Sequence, residues 1–184
     1  MLVGVGGQGT LLASRILGNV LLSQGYDVKV SEVHGMSQRG GSVVTYIKFG
    51  EKVYSPVIEK GQADIIVSFE ALEAARWVSF LKKGGKLVMN TQEIEPMPVI
   101  TGAAQYPANI VDTLKSLGED VIAVDSLSLA EQAGTSRAVN VVLMGVISHI
   151  LDFGDKVWND ALEQCVPAKV LEVNKKAFGL GRNA

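Results

Sequence analysis

A glycine-rich turn near the start of the chain constrains the fold more than any other feature. The turn spans residues 4–9 and has glycine at its first, third and sixth positions. It follows the apolar run Leu2 to Val5 and precedes apolar residues at helical spacing from about Thr10 to Gln24. Residues Val28 to Val30 then alternate like a strand. Strand, glycine turn, helix and strand within about 30 residues predict the opening unit of a doubly wound α/β sheet.

Strand and helix patterns alternate along the rest of the chain. The further predicted strands are Ser42 to Phe49, Lys52 to Tyr54, Asp64 to Phe69, Lys86 to Asn90 and Asp120 to Asp125. The further predicted helices are Glu70 to Leu81, Asn109 to Leu117, Ser126 to Ala133, Ala138 to Phe153, Lys156 to Gln164 and Ala168 to Phe178. The two-residue turn at 50–51 predicts an antiparallel hairpin.

This order of elements favours an α/β fold that is Rossmann-like and doubly wound. We expect a mostly parallel sheet with helices on both faces and one β-hairpin. A length of 184 residues predicts a single domain over residues 1–184.

Charge and apolar content argue against two classes of partner. The formal net charge is −2 and no run of Lys or Arg stands out, which predicts no nucleic-acid binding. The longest apolar run, Ala138 to Leu151, is too short to span a bilayer. No basic segment precedes an apolar one at the start of the sequence, so no secretory signal is expected. A single cysteine predicts a reducing, cytoplasmic compartment.

Cysteine and histidine content limits the redox and metal chemistry of the chain. An iron–sulfur cubane needs about four thiolates, and the chain has only Cys165. The two histidines, His34 and His149, lack the further ligands of a zinc site. The stretch Gly154-Asp155 is not followed by the rest of a thiamine-diphosphate signature, and no nucleophile motif is present. The sequence therefore predicts no catalytic residue, no metal site and no redox centre in this chain.

The glycine turn is the first candidate binding site, through Gly6, Gly7, Gln8 and Gly9. Glycines allow a tight turn and a close approach of backbone to ligand. The helix N-terminus that follows favours an anion. Glu32 lies about 23 residues after Gly9, roughly where an NAD-binding protein places its ribose acid. The same pattern also serves strand–helix packing or a subunit contact, so the spacing alone leaves both interpretations open.

The second candidate is the segment from Glu32 to Gly41, which ends in Arg39, Gly40 and Gly41. Arg39 can bind a phosphate or carboxylate with two N–H groups, and His34 can titrate near neutral pH. The alternative is a turn-rich connection in which Arg39 bonds to a carbonyl or to Glu32 and His34 is structural.

The third candidate is Asn140, which lies in the apolar stretch after Gly134. Ser136 is the expected N-cap of the helix. A buried asparagine needs hydrogen-bond partners, so we expect Asn140 to brace one of the glycine segments, with direct ligand contact as the alternative.

These segments resemble the gamma domain of 2-oxoacid:ferredoxin oxidoreductases. The resemblance rests on the Gly-Val-Gly-Gly-Gln-Gly run at 4–9, the loop that ends in Arg-Gly-Gly at 39–41, and Asn140 with Gly145. This family includes the pyruvate, 2-oxoisovalerate, 2-oxoglutarate and indolepyruvate enzymes. The resemblance implies a gamma subunit of a hetero-oligomer that converts a 2-oxoacid and coenzyme A to an acyl-CoA and carbon dioxide, with ferredoxin as electron acceptor.

The resemblance also implies how the work is divided. Thiamine diphosphate, magnesium and iron–sulfur clusters are expected on partner alpha, beta and ferredoxin-like delta subunits. This chain would assist assembly and line the coenzyme A site, and would be inactive alone. Two alternatives stay open: a stand-alone NAD-dependent oxidoreductase that uses the glycine turn and Glu32, and a nucleotide-binding regulatory module.

Overall fold

The computed structural model describes residues 1–32 and 39–184. The strands in these ranges are β1 Leu2–Val5, β2 Asp27–Glu32, β3 Ser42–Gly50, β4 Ala63–Ser68, β5 Leu81–Asn90 and β6 Asp120–Val124. The helices are α1 Thr10–Ser23, α2 Ala71–Trp77, α3 Met97–Ile100, α4 Ile110–Ser116, α5 Ser126–Ala133, α6 Val139–Ile150, α7 Asp155–Cys165 and α8 Leu171–Arg182. Short 3-10 turns occupy Val78–Phe80, Ser136–Ala138 and Ala168–Val170.

The strands form one mixed sheet in the order β2-β3-β1-β4-β5-β6. Strands β1, β4, β5 and β6 pair in parallel. Strand β3 is antiparallel to both of its neighbours, β1 and β2. Among the strands that the structure describes, β3 is therefore the only one that runs against the rest. The predicted mostly parallel α/β sheet is confirmed.

The hairpin is not where the sequence predicts it. The expected return strand Lys52 to Tyr54 is wrong, because residues 51–62 contain no strand. Instead β2 pairs along its whole length with β3, from Asp27↔Gly50 to Glu32↔Thr45. The backbone N–H of Val53 donates to Asp27 Oδ2 at 2.8 Å, so it is bound by a side chain and does not extend the sheet.

Helices cover both faces of the sheet, as predicted. Successive strand residues point to opposite faces, and the buried residues follow that rule. Leu2 and Val67 belong to one apolar cluster, whereas Val3 and Ile66 belong to another. The first cluster includes buried residues of α1, α5, α6, α7 and α8, and the second includes those of α2 and α4.

Several element ends differ from the expected ones, among them two boundaries and one cap. Strand β5 begins at Leu81, five residues before the predicted Lys86. Its pairing with β4 shifts register between Leu81 and Lys86, the stretch in which Gly84 has a positive φ of 77°. Helix α2 ends at Trp77 and continues as a 3-10 turn. The predicted cap Ser136 is wrong, since Thr135 caps the 3-10 turn before α6 through its side chain.

Helix α6 is buried over most of its length and lies against α8. A Cβ atom added to Gly145 would lie 2.2 Å from the carbonyl oxygen of Phe178, and one added to Gly181 would lie 2.0 Å from that of Val142. The two backbones therefore approach so closely that only glycine fits. No helix within residues 1–32 and 39–184 is long and apolar enough to cross a bilayer.

Candidate functional site

The glycine turn, residues 4–9, lies at the carboxyl edge of the sheet, where the parallel strands end. Gly9 has a left-handed φ of 82° and starts α1 without a side-chain cap. No acidic residue lies in the first turn of α1. The positive end of the helix dipole is therefore not neutralised by a side chain of its own helix.

Gln8 closes the glycine turn with both ends of its amide. Its Oε1 accepts from the backbone N–H of Val5 at 2.8 Å, and its Nε2 donates to the carbonyl of Phe69 at 2.9 Å. The same carbonyl accepts from Asn90 Nδ2 at 3.1 Å. The ends of β1, β4 and β5 are thus held together by two amide side chains.

Asn140 braces the glycine turn, as the sequence predicts. It is 3% exposed. Its Nδ2 donates to the carbonyl of Gly9 at 3.0 Å, and its Oδ1 accepts from the N–H of Val141 at 3.0 Å. A Cβ atom at Gly9 would lie only 2.6 Å from Nδ2. Both polar atoms of Asn140 therefore have partners inside the chain.

The two glycine segments are joined directly. The N–H of Gly6 donates to the carbonyl of Gly41 at 2.8 Å, and the N–H of Gly40 donates to the carbonyl of Gly6 at 3.2 Å. These bonds extend the β1–β3 pairing beyond the strands. They bring Arg39, which is exposed, to the carboxyl edge beside the glycine turn. His34 lies outside the described residues.

Glu32 lies apart from this arrangement. Its Oε1 accepts from Ser14 Oγ at 2.6 Å, and it lines a groove between α1, β2 and α7 that also contains Cys165. Strand β3 lies between β2 and β1. Glu32 is therefore about 4.8 Å, the spacing of one strand, farther from the glycine turn than it would be if β2 were paired directly with β1. The structure does not bring Glu32 to the glycine turn as a dinucleotide site requires.

Two buried carboxylates at the carboxyl edge were missed by the sequence reasoning. Glu70 and Glu73 are each 1% exposed. Glu70 caps α2, since its Oε2 accepts from the N–H of Glu73 at 2.8 Å, while its Oε1 accepts from the N–H of Ile94 at 3.0 Å and from the hydroxyl of Tyr106. Burial, together with the Glu70 carboxylate, raises the pKa of Tyr106 above its usual value. An acid just after a buried strand, followed three residues later by another, was the signal available.

Glu73 supports the second glycine segment. It accepts from Arg76 at 2.8 Å and from the hydroxyl of Ser42, the first residue of β3. Ser42 directly follows Gly41, so a buried carboxylate fixes the point where the Arg-Gly-Gly segment enters the sheet. Gly40 and Gly41 line a cavity with Glu73 and Pro96.

The carboxyl edge offers groups suited to binding an anion. A second cavity is lined by Gly7, Gln8 and Gly9 together with Gln92, Ser136 and Arg137. It combines the N-terminus of α1 with an exposed arginine, which is a favourable setting for phosphate or carboxylate. Among the described residues, no group of three or more His, Cys, Asp or Glu side chains is placed to hold a metal ion.

Sequence comparison gives matches over the whole chain. The family described as pyruvate ferredoxin/flavodoxin oxidoreductase matches residues 1–184. The indolepyruvate oxidoreductase subunit IorB of Thermococcus kodakarensis is 42% identical, with 100% of this chain and 94% of the relative covered. The IorB subunit of Pyrococcus horikoshii is 41% identical with the same coverage.

Solved structures share the fold. The gamma subunit of a keto/oxoacid ferredoxin oxidoreductase from Geobacter sulfurreducens superposes with a TM-score of 0.71 at 21% identity, covering 99% of this chain and 94% of that one. The 2-oxoglutarate:ferredoxin oxidoreductase of Magnetococcus marinus, determined with 2-oxoglutarate, coenzyme A and succinyl-CoA, has a TM-score of 0.70 at 17% identity. The match covers 99% of this chain and 30% of that one.

Proposed function

The chain belongs to the pyruvate ferredoxin/flavodoxin oxidoreductase family as a gamma-type subunit of a 2-oxoacid:ferredoxin oxidoreductase, and on this premise we propose that it assembles with the catalytic subunits and lines their coenzyme A site. The enzyme then oxidatively decarboxylates a 2-oxoacid to an acyl-CoA. Since the relatives at 41–42% identity are indolepyruvate oxidoreductase subunits, an aromatic 2-oxoacid is the proposed substrate class.

The composition of this chain is consistent with a role without an iron–sulfur cluster. One cysteine cannot supply the roughly four thiolates of an iron–sulfur cluster. As the family membership implies, we propose that thiamine diphosphate, magnesium and the clusters lie on alpha, beta and ferredoxin-like delta subunits or domains, and that ferredoxin receives the electrons. This chain contributes binding and positioning rather than a redox group.

The observation that carries the coenzyme A proposal is the joining of the two glycine segments beside Arg39. The bonds between Gly6 and residues 40–41 hold the segment that carries the exposed Arg39 beside the glycine turn, which leads into the N-terminus of α1. Coenzyme A is rich in phosphate, which such a pair of groups binds well. The proposed contact residues are Gly6, Gly7, Gln8, Gly9, Arg39, Gly40 and Gly41.

The other two predicted site residues take different roles. Asn140 acts on the site by bracing Gly9. Glu32 is bound to Ser14 and separated from the turn by β3. This placement weakens the NAD-binding alternative, which needs an acid beside the glycine turn.

The test is reconstitution with the catalytic subunits, followed by Arg39→Lys. The wild-type complex is expected to use indolepyruvate with a higher kcat/KM than pyruvate. Arg39→Lys is expected to raise the KM for coenzyme A at least about tenfold, because an ammonium cannot reproduce the two-point contact of a guanidinium with a phosphate. The KM for the 2-oxoacid should stay unchanged.

Arg15→Lys is the matched control, since Arg15 is also exposed but lines the separate groove at Glu32. An unchanged KM for coenzyme A in the Arg39 variant would contradict the coenzyme A role. Micromolar binding of NADH to the isolated chain, seen as nicotinamide fluorescence, would favour the NAD-dependent alternative.

A further inference from the structure

The connection between β5 and α4, residues 91–109, carries an unusual apolar tip. We name the connection, residues 91–109, the acidic excursion, and its short helix α3 the tip. This helix exposes Met97 to 65% and Ile100 to 61%. These two residues are three positions apart and so lie on one side of the helical turn. Scattered exposed apolar residues are ordinary, but two large ones together at a tip mark a contact surface.

The tip is held in place by groups inside the chain. Glu70 accepts from the N–H of Ile94 and from the hydroxyl of Tyr106, which lie before and after the tip. The hydroxyl of Tyr106 also accepts from the N–H of Leu72 at 3.0 Å, and the carbonyl of Gln92 accepts from the N–H of Ala71 at 3.0 Å. A buried carboxylate therefore fastens both arms of the excursion to the first turn of α2.

The tip itself is also ordered. The hydroxyl of Thr101 donates to the carbonyl of Met97 at 2.9 Å, and the N–H of Ala104 donates to the carbonyl of Pro98 at 3.0 Å. Because the apolar side chains are displayed on a fixed backbone, little conformational freedom is lost when a partner covers them. The hydrogen bonds of the tip therefore hold Met97 and Ile100 in exposed positions.

The charges around the tip define the chemistry of its partner. Residues 91–109 contain Glu93 and Glu95, both exposed, and no Lys or Arg. Arg76 lines the cavity beside the tip, but its guanidinium is paired with the buried Glu73. Interfaces commonly combine an apolar centre with a polar rim of complementary charge. The surface that fits this tip is an apolar pocket rimmed by Lys or Arg.

The position of the tip favours a partner that also reaches the glycine segments. Pro96, Met97 and Pro98 line the same cavity as Gly40 and Gly41. A chain seated on the tip therefore lies next to the edge at which we place coenzyme A. Resting on the proposed function, we propose that Met97 and Ile100 insert into a basic-rimmed apolar pocket of the thiamine-binding catalytic subunit.

The test measures binding of the full chain to the purified catalytic subunits. Met97→Glu/Ile100→Glu is expected to raise the Kd at least about 30-fold, the range of interface hot spots. The matched control is Tyr54→Glu/Val57→Glu, which changes two residues of similar exposure, 84% and 57%, in the connection between β3 and β4. The control should change the Kd less than about threefold. Equal losses in both variants would overturn the proposal.

A charge series tests the rim separately. Glu93→Lys/Glu95→Lys should weaken binding and reduce its dependence on salt, whereas Glu51→Lys/Glu59→Lys should leave both unchanged. If wild-type chain does not bind the catalytic subunits, the proposed function fails. If wild type binds and the Met97/Ile100 variant binds equally well, only the docking inference fails. If light scattering shows that wild-type chain is a dimer and that the Met97/Ile100 variant is a monomer, the partner is a second copy and the inference is overturned.

Discussion

The two edges of the sheet are held together by different means. At the carboxyl edge, buried or partly buried side chains of Gln8, Glu70 and Asn140 bond to backbone atoms of neighbouring segments. At the opposite edge, exposed side chains pair with each other, as in Lys82 with Asp64 and Lys86 with Asp120, and Asp27 is the side chain described there that bonds to a backbone N–H. Exposed ion pairs contribute about 0–1 kcal/mol and weaken in salt.

This difference in bonding between the two edges indicates where the chain needs fixed atomic positions. A buried acceptor that bonds to backbone N–H groups holds a loop in one place, and losing it leaves those donors unsatisfied. The carboxyl edge carries both glycine segments and the acidic excursion, which are the parts we assign to ligand and partner. The opposite edge carries neither.

The largest effect is expected for Glu70→Ala. The change leaves the N–H groups of Glu73 and Ile94 and the hydroxyl of Tyr106 without their acceptor. Since each unsatisfied buried donor costs about 1–3 kcal/mol, we expect a loss of about 3 kcal/mol in the free energy of unfolding, measured in urea. The comparison is Lys82→Ala, which should change it by less than about 0.5 kcal/mol. Equal losses would remove the distinction between the edges.

A middle-sized effect is expected for Gly9→Ala. A left-handed backbone costs a non-glycine residue about 1–2 kcal/mol, and the added Cβ would press on Asn140. We expect a total loss of about 2–3 kcal/mol in unfolding free energy. In the Asn140→Ala background the same change should cost about 1 kcal/mol less, because the close contact is gone. Additive losses in this double-mutant cycle would show that Asn140 does not press on the turn.

The smallest effect at the carboxyl edge is expected for Asp125→Ala. The Asp125 side chain caps α5 by accepting from the hydroxyl of Ser128 at 2.6 Å and from its N–H at 3.0 Å, which lowers the pKa of Asp125. An exposed N-cap contributes about 1 kcal/mol. Because the folded pKa is the lower one, this stabilisation is present above the unfolded value of about 3.9 and is lost as the pH falls through the folded value.

The check is the free energy of unfolding of wild type and the Asp125 variant between pH 7 and pH 2. The two curves are expected to lie apart at neutral pH and to approach each other below about pH 4. A constant separation over this range would mean that the Asp125 charge does not stabilise the helix.

Local sequence patterns were sufficient for much of the fold. The bounds of β1 and α5 agree with the predicted ones, and α1 differs at its end by one residue. The bracing role of Asn140 followed from the rule that a buried amide needs a partner. These predictions depend on contacts within one element or on a strict hydrogen-bond requirement.

Local sequence patterns could not predict which distant segments pair. The insertion of β3 between β2 and β1 depends on which edges meet in three dimensions, so Lys52 to Tyr54 was assigned to a strand that does not form. The burial of Glu70 depends on Ile94 and Tyr106, which are 24 and 36 residues away. Local spacing has no information about such partners.

The antiparallel course of β3 has a consequence for how this subunit can diversify. Strand β2 ends at Glu32 and β3 begins at Ser42, and the register pairs Glu32 with Thr45 near that shared end. Residues inserted or deleted between Glu32 and Arg39 leave every position paired between the two strands in place. Evolution can therefore alter the length and charge of this connection without changing the register of the two strands.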